Sequence, residues 1–380
     1  MNSTSEASSA KGAADFEKAL PAVDPTIATF EEEHASALRR IQHFLHAFPT
    51  AVPFIVLLLG LVIFSAIVGA KFFAPFNLSL VLQQVTIIAI LGIAQTLVIL
   101  TAGIDLSVGV IMILCSVVMG RTAVVYGVPL WIAFPLGFLV GLACGAVNGM
   151  LVTLLRLPPF IVTLGTWSIF GALNIFYSRS ETIRQQDIEA AAPLLQWLGT
   201  RVDLVQAVAP LLRTVGIDVA PTVHAPLTYG SVLMILLAVL VWYLLNRTPF
   251  GRHVYASGDE PDSARLAGIN TDRTLIAVYA LAGFICAIAS WALIGRIGSV
   301  SPQAGQTANL DSITAVVIGG TSLFGGRGSI IGTLIGALIV GVFRNGLALS
   351  GLDVLWQEFT VGVLIIVAVT LDQWIRRVAA

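Results

Sequence analysis

The stretch VPFIVLLLGLVIFSAIVGA, residues 52–70, carries no charged side chain and no alternation of apolar with polar positions. A helix built from it is apolar all round, so none of its faces suits water, and about 20 such residues are what a bilayer crossing requires. Similar runs recur near 53–70, 81–100, 106–124, 130–153, 160–177, 231–246, 274–294, 311–322, 328–347 and 355–374. The run around Asp311 is short for a crossing. With 57% hydrophobic and 11% charged residues, against about 25% charged in a soluble domain, the chain holds more apolar surface than a soluble core could bury. The expectation is an all-α polytopic membrane protein of about ten transmembrane helices.

The arginines decide the orientation, because short cytoplasmic segments collect Lys and Arg. One set of breaks and ends holds Arg39, Arg40, Arg156, Arg247, Arg252, Arg265, Arg273, Arg327, Arg376 and Arg377, and the other only Lys71, Arg121, Arg296 and Arg344. Both termini are therefore expected in the cytoplasm. The membrane body occupies 50–376, with the long 178–229 segment outside and 247–273 inside. Arg179, Arg184, Arg201 and Arg213 lie in the long outer segment, where charge weighs little. Its most apolar piece, LVQAVAPLL, is too short to cross.

Residues 1–49 form a polar cytoplasmic segment. About fifty polar residues ahead of the first apolar run are the reverse of a cleavable signal peptide, so this segment is expected to stay attached. Phe30, Leu38, Ile41, Leu45 and Phe48 recur at helical spacing, as in a helix lying on the membrane surface, and residues 1–28 read as a disordered tail.

The formal net charge of −1 gives no footprint for nucleic acid. Cys115, Cys144 and Cys286 lie inside apolar runs without C-x-x-C spacing, and the histidines are scattered, so neither a disulfide framework nor a metal site is expected. No Ser/His/Asp or Cys/His arrangement is placed for catalysis, and no catalytic residue or cofactor is assigned.

GGTSLFGGRGS, Gly319–Ser329, looks at first like a phosphate loop. Counted from Gly320, however, the lysine of G-x-x-x-x-G-K-[ST] falls on Gly326 and the hydroxyl on Arg327. The glycines answer a different need. Helices in lipid associate through close packing of small residues spaced four apart, and Gly137, Gly141, Gly145 and Gly149 form such a stripe, as do Gly328, Gly332 and Gly336. Gly325, Gly326 and Gly328 also permit a sharp turn between the eighth and ninth helices.

Asp105 in LTAGIDLSVG and Asp311 in ANLDSITAV each begin an apolar run. A carboxylate at a helix centre in the bilayer costs roughly 2.5–3.5 kcal/mol. Two readings stand: a cap on the free amides of the first turn, or contact with a polar solute in transit. Gln95, Ser107, Thr163, Thr166 and Thr314 join the same candidate path, since hydroxyls and amides both bind solutes and glue helices. In LPPFIVTLG, Pro158 and Pro159 suit a helix start.

The break from Arg247 to Arg273 is longer than a turn between antiparallel helices needs. Within it Asp259 or Glu260 can cap, Pro261 fits the first turn, Asp262 favours the positive end and Gly268 can terminate, giving a helix of about two turns. So short a helix needs a docking surface. That surface is either its own bundle or a cytoplasmic partner.

LTAGIDLSVG, LPPFIVTLG, GRHVYASGDEPDSARLAGIN and ITAVVIGGTSLFGGRGSIIGTLIGAL, in this order, closely resemble the permease subunit of bacterial ABC importers for simple sugars, the ribose, xylose and fructose group. The likeness runs over about 50–376. The acidic N-terminal extension and SRSETIRQQDIEAAAPLLQWLG are most similar to the fructose-type permeases, although the outer segment is longer than the usual pattern. The resemblance implies a bacterial inner-membrane subunit for monosaccharide uptake. Its implied partners are a second copy of itself, two ATP-binding subunits or one double-ATPase chain, and an extracytoplasmic sugar-binding protein. It also implies that Gly258, Asp259, Glu260, Pro261, Asp262, Ala264, Arg265, Leu266 and Gly268 form the coupling helix seated in the ATPase, with ATP hydrolysed on that other chain. An ion-coupled secondary transporter is the alternative. It wants ionisable residues along a relay at the midplane, whereas charge here sits at span ends.

Overall fold

A computed structural model describes residues 51–376, apart from 204–205, 207–208, 211–212, 215–225 and 306. The expected surface helix and tail within 1–49, and most of LVQAVAPLL, lie outside the described residues.

All ten apolar runs become helices. In chain order the first are α1 (Ala51–Val68), α2 (Pro75–Leu100), α3 (Val108–Gly120, continued by a π turn to Val125), α4 (Leu130–Leu154) and α5 (Pro159–Ser178). A small segment between the helices follows, with α6 (Gln185–Ala191) and two strands, β1 (Arg201–Asp203) and β2 (Pro226–Thr228), paired antiparallel with Val202 opposite Leu227. Next come α7 (Tyr229–Arg247), α8 (Pro249–Asp259), α9 (Pro261–Leu266), α10 (Thr271–Ile297), α11 (Ala308–Ile318), α12 (Ile330–Leu349) and α13 (Val354–Arg376). Among the described residues eight helices are long and apolar enough to cross a bilayer: α1 to α5, α7, α10 and α12.

The outer helices turn large apolar side chains outward, while the interior holds polar side chains such as Gln95, Asp105 and Asn148 among its buried apolar ones. Leu59, Val62, Leu139, Phe176, Leu236 and Leu240 all face outward, an apolar surface far beyond what a soluble monomer tolerates. α2 and α3 are the buried centre, and α10, α11 and α12 pack against α2. The most extensive pairing is α4 with α10, made by the predicted stripe. A Cβ added at Gly141 would stand 2.5 Å from the Gly283 carbonyl, one at Gly145 2.1 Å from that of Tyr279, and one at Gly149 2.8 Å from Ile276 Cα. Gly137 makes room for Met119 instead. On α12, Gly332 and Gly336 give the same close approach to Gly319 and Ala315, but Gly328 precedes that helix and belongs to the turn.

Successive crossings alternate in direction, so the bundle has two ends. The ribbon end carries β1 and β2, the turn before α2 and the turn after α10; Ile183 bridges to Val300 there. The α9 end carries residues 101–107, α8, α9 and the glycine turn 319–329.

The eighth predicted span is corrected. α11 has only 11 residues, about 16 Å at 1.5 Å per residue, against a hydrocarbon core of about 30 Å, and Asn309 in its first turn already donates to the Leu106 carbonyl at 3.3 Å. Gly319 and Gly320 close it, and the chain covers the remaining depth as non-helical backbone. Such backbone is tolerated at membrane depth only where protein or a cavity surrounds it.

Candidate functional site

At the α9 end, Thr248 caps α8 by accepting the Gly251 N–H, and Pro249 fills the first helical position. Gly251, Val254, Ser257 and Gly258 form the buried face of α8. That face sits directly on backbone. A Cβ at Gly258 would stand 1.8 Å from the Leu100 carbonyl at the end of α2. The same carbonyl accepts the Gly326 N–H at 3.0 Å, and the Tyr255 hydroxyl donates to the Gly328 carbonyl at 2.9 Å. Burial raises the Tyr255 phenol above its ordinary pKa, so it remains a proton donor at neutral pH. Gly325 and Gly326 adopt φ of +86° and +69°, the turn conformation expected from the sequence.

α9 follows after Glu260. It is six residues long rather than two full turns, and Glu260 occupies the N-cap without the side-chain bond expected of it. Arg265 ties α9 to the base of α10, with Nε donating to the Thr271 hydroxyl at 2.8 Å and a 3.3 Å ion pair to Asp272. Ala264 is buried, Gly268 ends the helix at φ +86°, and Leu266 is left 91% exposed. A leucine so bare at the tip of a helix outside the bundle has no partner within the described chain.

Between α2 and α3 four of the path candidates converge in one buried knot. The Gln95 amide, with N and O assigned from the bonds they make, donates to the Asp105 carbonyl at 3.1 Å and accepts its N–H at 3.2 Å. Asp105 Oδ1 accepts from the Ser107 N–H at 2.7 Å and the Ser107 hydroxyl at 2.6 Å, and Asn148 donates to that hydroxyl at 2.8 Å. Thr163 donates to the Ile104 carbonyl at 2.9 Å and accepts the Leu106 N–H at 3.2 Å. These bonds satisfy backbone groups that the break leaves unpaired. Asp105 thus folds onto Ser107, the N-cap residue of α3, and accepts from none of the amides of that helix's first turn, so it is not the cap that the sequence suggested. Thr166 and Thr314 donate to carbonyls of their own helices, those of Thr163 and Leu310.

Asp311 does not cap. It lies inside the first turn of α11 and pairs with Arg344, whose guanidinium reaches Asp311 Oδ1 at 2.8 Å and Glu358 Oε1 at 2.9 Å. The pair lies against a cavity of about 430 Å3 at the ribbon end, walled by Ile87, Ile88, Met112 and Leu293. Arg344 and Glu358 were missed from sequence, because nothing local links position 311 to 344. Among the described residues no group of three His, Cys, Asp or Glu could hold a metal ion.

A multi-pass bundle with a discontinuous helix beside a polar cavity, and a bare helix projecting from the opposite end, has the architecture of a membrane transport subunit. The chain belongs to the family described as branched-chain amino acid transport system / permease component, the match spanning residues 77–369. It is 55% identical to the fructose import permease protein FrcC of Rhizobium meliloti over 366 residues, 96% of this chain and 97% of that one. The ribose import permease protein RbsC of Bacillus subtilis is 38% identical over 82% of this chain and 89% of its own. The D-allose transport system permease protein AlsC of Escherichia coli is 32% identical over 85% and 91%. No solved structure matches the chain at a significant level. The relatives are transport permeases, in accord with the expectation of a transport subunit in place of an enzyme.

Proposed function

We propose that this chain is the membrane-spanning subunit of an ATP-driven importer that takes a monosaccharide, fructose first, across the bacterial cytoplasmic membrane. The likeness to the fructose permease over nearly the whole of both chains supports the sugar. The distribution of arginines supports placing the α9 end in the cytoplasm and the ribbon end outside. A second copy completes the path, an extracytoplasmic sugar-binding protein delivers solute to the ribbon end, and a pair of ATPase modules sits beneath α9.

The observation that carries the reading is the exposed Leu266 on a six-residue helix too short to hold itself. In a coupled machine that helix is seated in the ATPase, and ATP-driven closure biases the bundle between two packed arrangements. α8, fixed to the end of α2 and to the glycine turn, carries the displacement into α11.

The test is Leu266→Asp in the complex reconstituted in liposomes. Its side chain is almost fully exposed, so yield and melting temperature stay within about ±0.5 kcal/mol of wild type in stability. ATP-driven fructose uptake is expected to fall roughly a hundredfold, the loss of an anchor worth 2–3 kcal/mol at the ATPase contact. Unchanged uptake, or wild-type uptake driven by a proton gradient without ATP, overturns the proposal.

A further inference from the structure

The cavity at the ribbon end holds more than the aspartate that the sequence singled out. Five polar side chains line it besides Asp311: Gln84, Arg296, Thr307, Arg344 and Gln357. Its volume of about 430 Å3 falls among small-molecule sites, and its lining is richer in polar groups than such sites usually are. Arg344 spends its terminal nitrogen on Asp311 and Glu358, yet its Nε is buried without a hydrogen-bond partner. A buried donor left unmade costs about 1–3 kcal/mol, so it marks a place where something else accepts. Arg296 makes no ion pair among the described residues.

The charges decide what fits. Arg296 and Arg344 are countered by Asp311 and by Glu358 just behind, so the site has no net charge to hold an anion or a cation. It does offer donors from two guanidiniums and acceptors from a carboxylate, with two amides able to serve as either. That alternation matches a ring of hydroxyl groups, each both donor and acceptor.

We propose that this cavity is the entry subsite for a neutral polyhydroxylated solute, with Gln84, Arg296, Arg344 and Gln357 as contact residues beside Asp311. This rests on the reading above and names the residues that receive the sugar as it leaves the binding protein. Arg344 exchanges its hold on Asp311 for the solute's hydroxyls, so the ion pair closes the entry when no solute is present. Phosphorylated sugars are disfavoured, because Asp311 and Glu358 balance the two guanidiniums in number and leave no net positive charge to hold a phosphate.

The experiment uses the full chain in its complex with ATPase and binding protein. Cys115, Cys144 and Cys286 are buried, so a thiol introduced as Gln84→Cys or Gln357→Cys is the one that a membrane-impermeant methanethiosulfonate reagent reaches from outside. Labelling is expected to cut fructose uptake roughly tenfold relative to the same unlabelled variant, and fructose during turnover, but not fructose 6-phosphate, is expected to slow the labelling. The double variant Asp311→Asn with Arg344→Gln separates contact from mere stabilisation. It removes one charge of each sign and leaves Glu358, which is exposed, to water; uptake stays depressed if the guanidinium meets the sugar, while ATP hydrolysis persists. Labelled chains that transport like unlabelled ones, or a double variant with wild-type uptake, overturn the subsite while wild-type fructose import leaves the functional reading standing. A wild-type complex that imports no monosaccharide sinks both.

Discussion

The two ends of the bundle are fastened by different means. At the α9 end the joints are backbone on backbone: Gly258 against the Leu100 carbonyl, and Gly326 against Asp259, where an added Cβ would meet Asp259 Cα at 2.8 Å. At the ribbon end one backbone joint also occurs, Gly199 against the Gly295 carbonyl, but the ties of α11 and of the π turn after α3 are long side chains. Arg344 spans Asp311 and Glu358, and Arg121 reaches the Ser178 carbonyl at 2.6 Å and Glu181 at 2.9 Å. A backbone joint has no rotamers to absorb displacement, so a push on α8 must move the end of α2 and the glycine turn with it. A guanidinium tie can let go of one acceptor and take another at modest cost. One end is thus built to transmit and the other to adapt, a fitting difference if force enters at α9 and solute enters at the ribbon.

The strongest way to break this comparison is Gly258→Ala. One methyl group placed 1.8 Å from a backbone oxygen cannot be accommodated by a side-chain shift. A loss of about 3 kcal/mol in stability, at the upper end of overpacking effects, should appear as a lower melting temperature with near-complete loss of uptake. A Gly258→Ala chain that transports normally would mean that the joint has slack. The ribbon end should forgive more. Arg121→Ala removes a charged hydrogen bond to Ser178 and an ion pair to an exposed Glu181, for an expected 1–3 kcal/mol. Uptake is expected to be retained to within roughly threefold, less than one power of ten. If Arg121→Ala proves as damaging to transport as Gly258→Ala, the adaptable end is not adaptable.

The sequence made the fold legible where the physics is periodic. Glycines every four residues announced the α4 stripe, yet its partner Gly283 has no glycine four residues before or after it in α10, and so gives no stripe to read. The apolar run from Asp311 continued past Ile318 through Gly319 and Gly320, so hydropathy alone ran α11 on through residues that end it. α8 was hidden for the opposite reason. It is polar outside its buried face and reads as loop, although Thr248 followed by Pro249 is a helix-start signature that could have found it. Within the site, Asp105, Ser107, Thr163 and Gln95 were flagged because polar atoms in an apolar run stand out. What they bond to was not legible, since backbone breaks are invisible to composition. Arg344 and Arg296 were counted only as charges on the outer side, and their convergence on Asp311 depends on three separate helices meeting.

The smallest expected effect sharpens the comparison most. Tyr255→Phe keeps the ring in place and removes one hydroxyl, the donor to the Gly328 carbonyl. A net hydrogen bond is worth about 1 kcal/mol, so folding should barely change and the ATPase should still dock on α9. If α8 drives the glycine turn mainly through the Gly258 and Gly326 backbone contacts, uptake falls only about fivefold, the equivalent of 1 kcal/mol, with ATP hydrolysis undiminished, so that fewer sugars cross per ATP. A larger fall in uptake per ATP would place the main strut at Tyr255, and no change in that ratio would show that the hydroxyl bond plays no part in transmission. Measuring the ratio of fructose imported to ATP hydrolysed in liposomes distinguishes the three, because a purely structural defect lowers both quantities together.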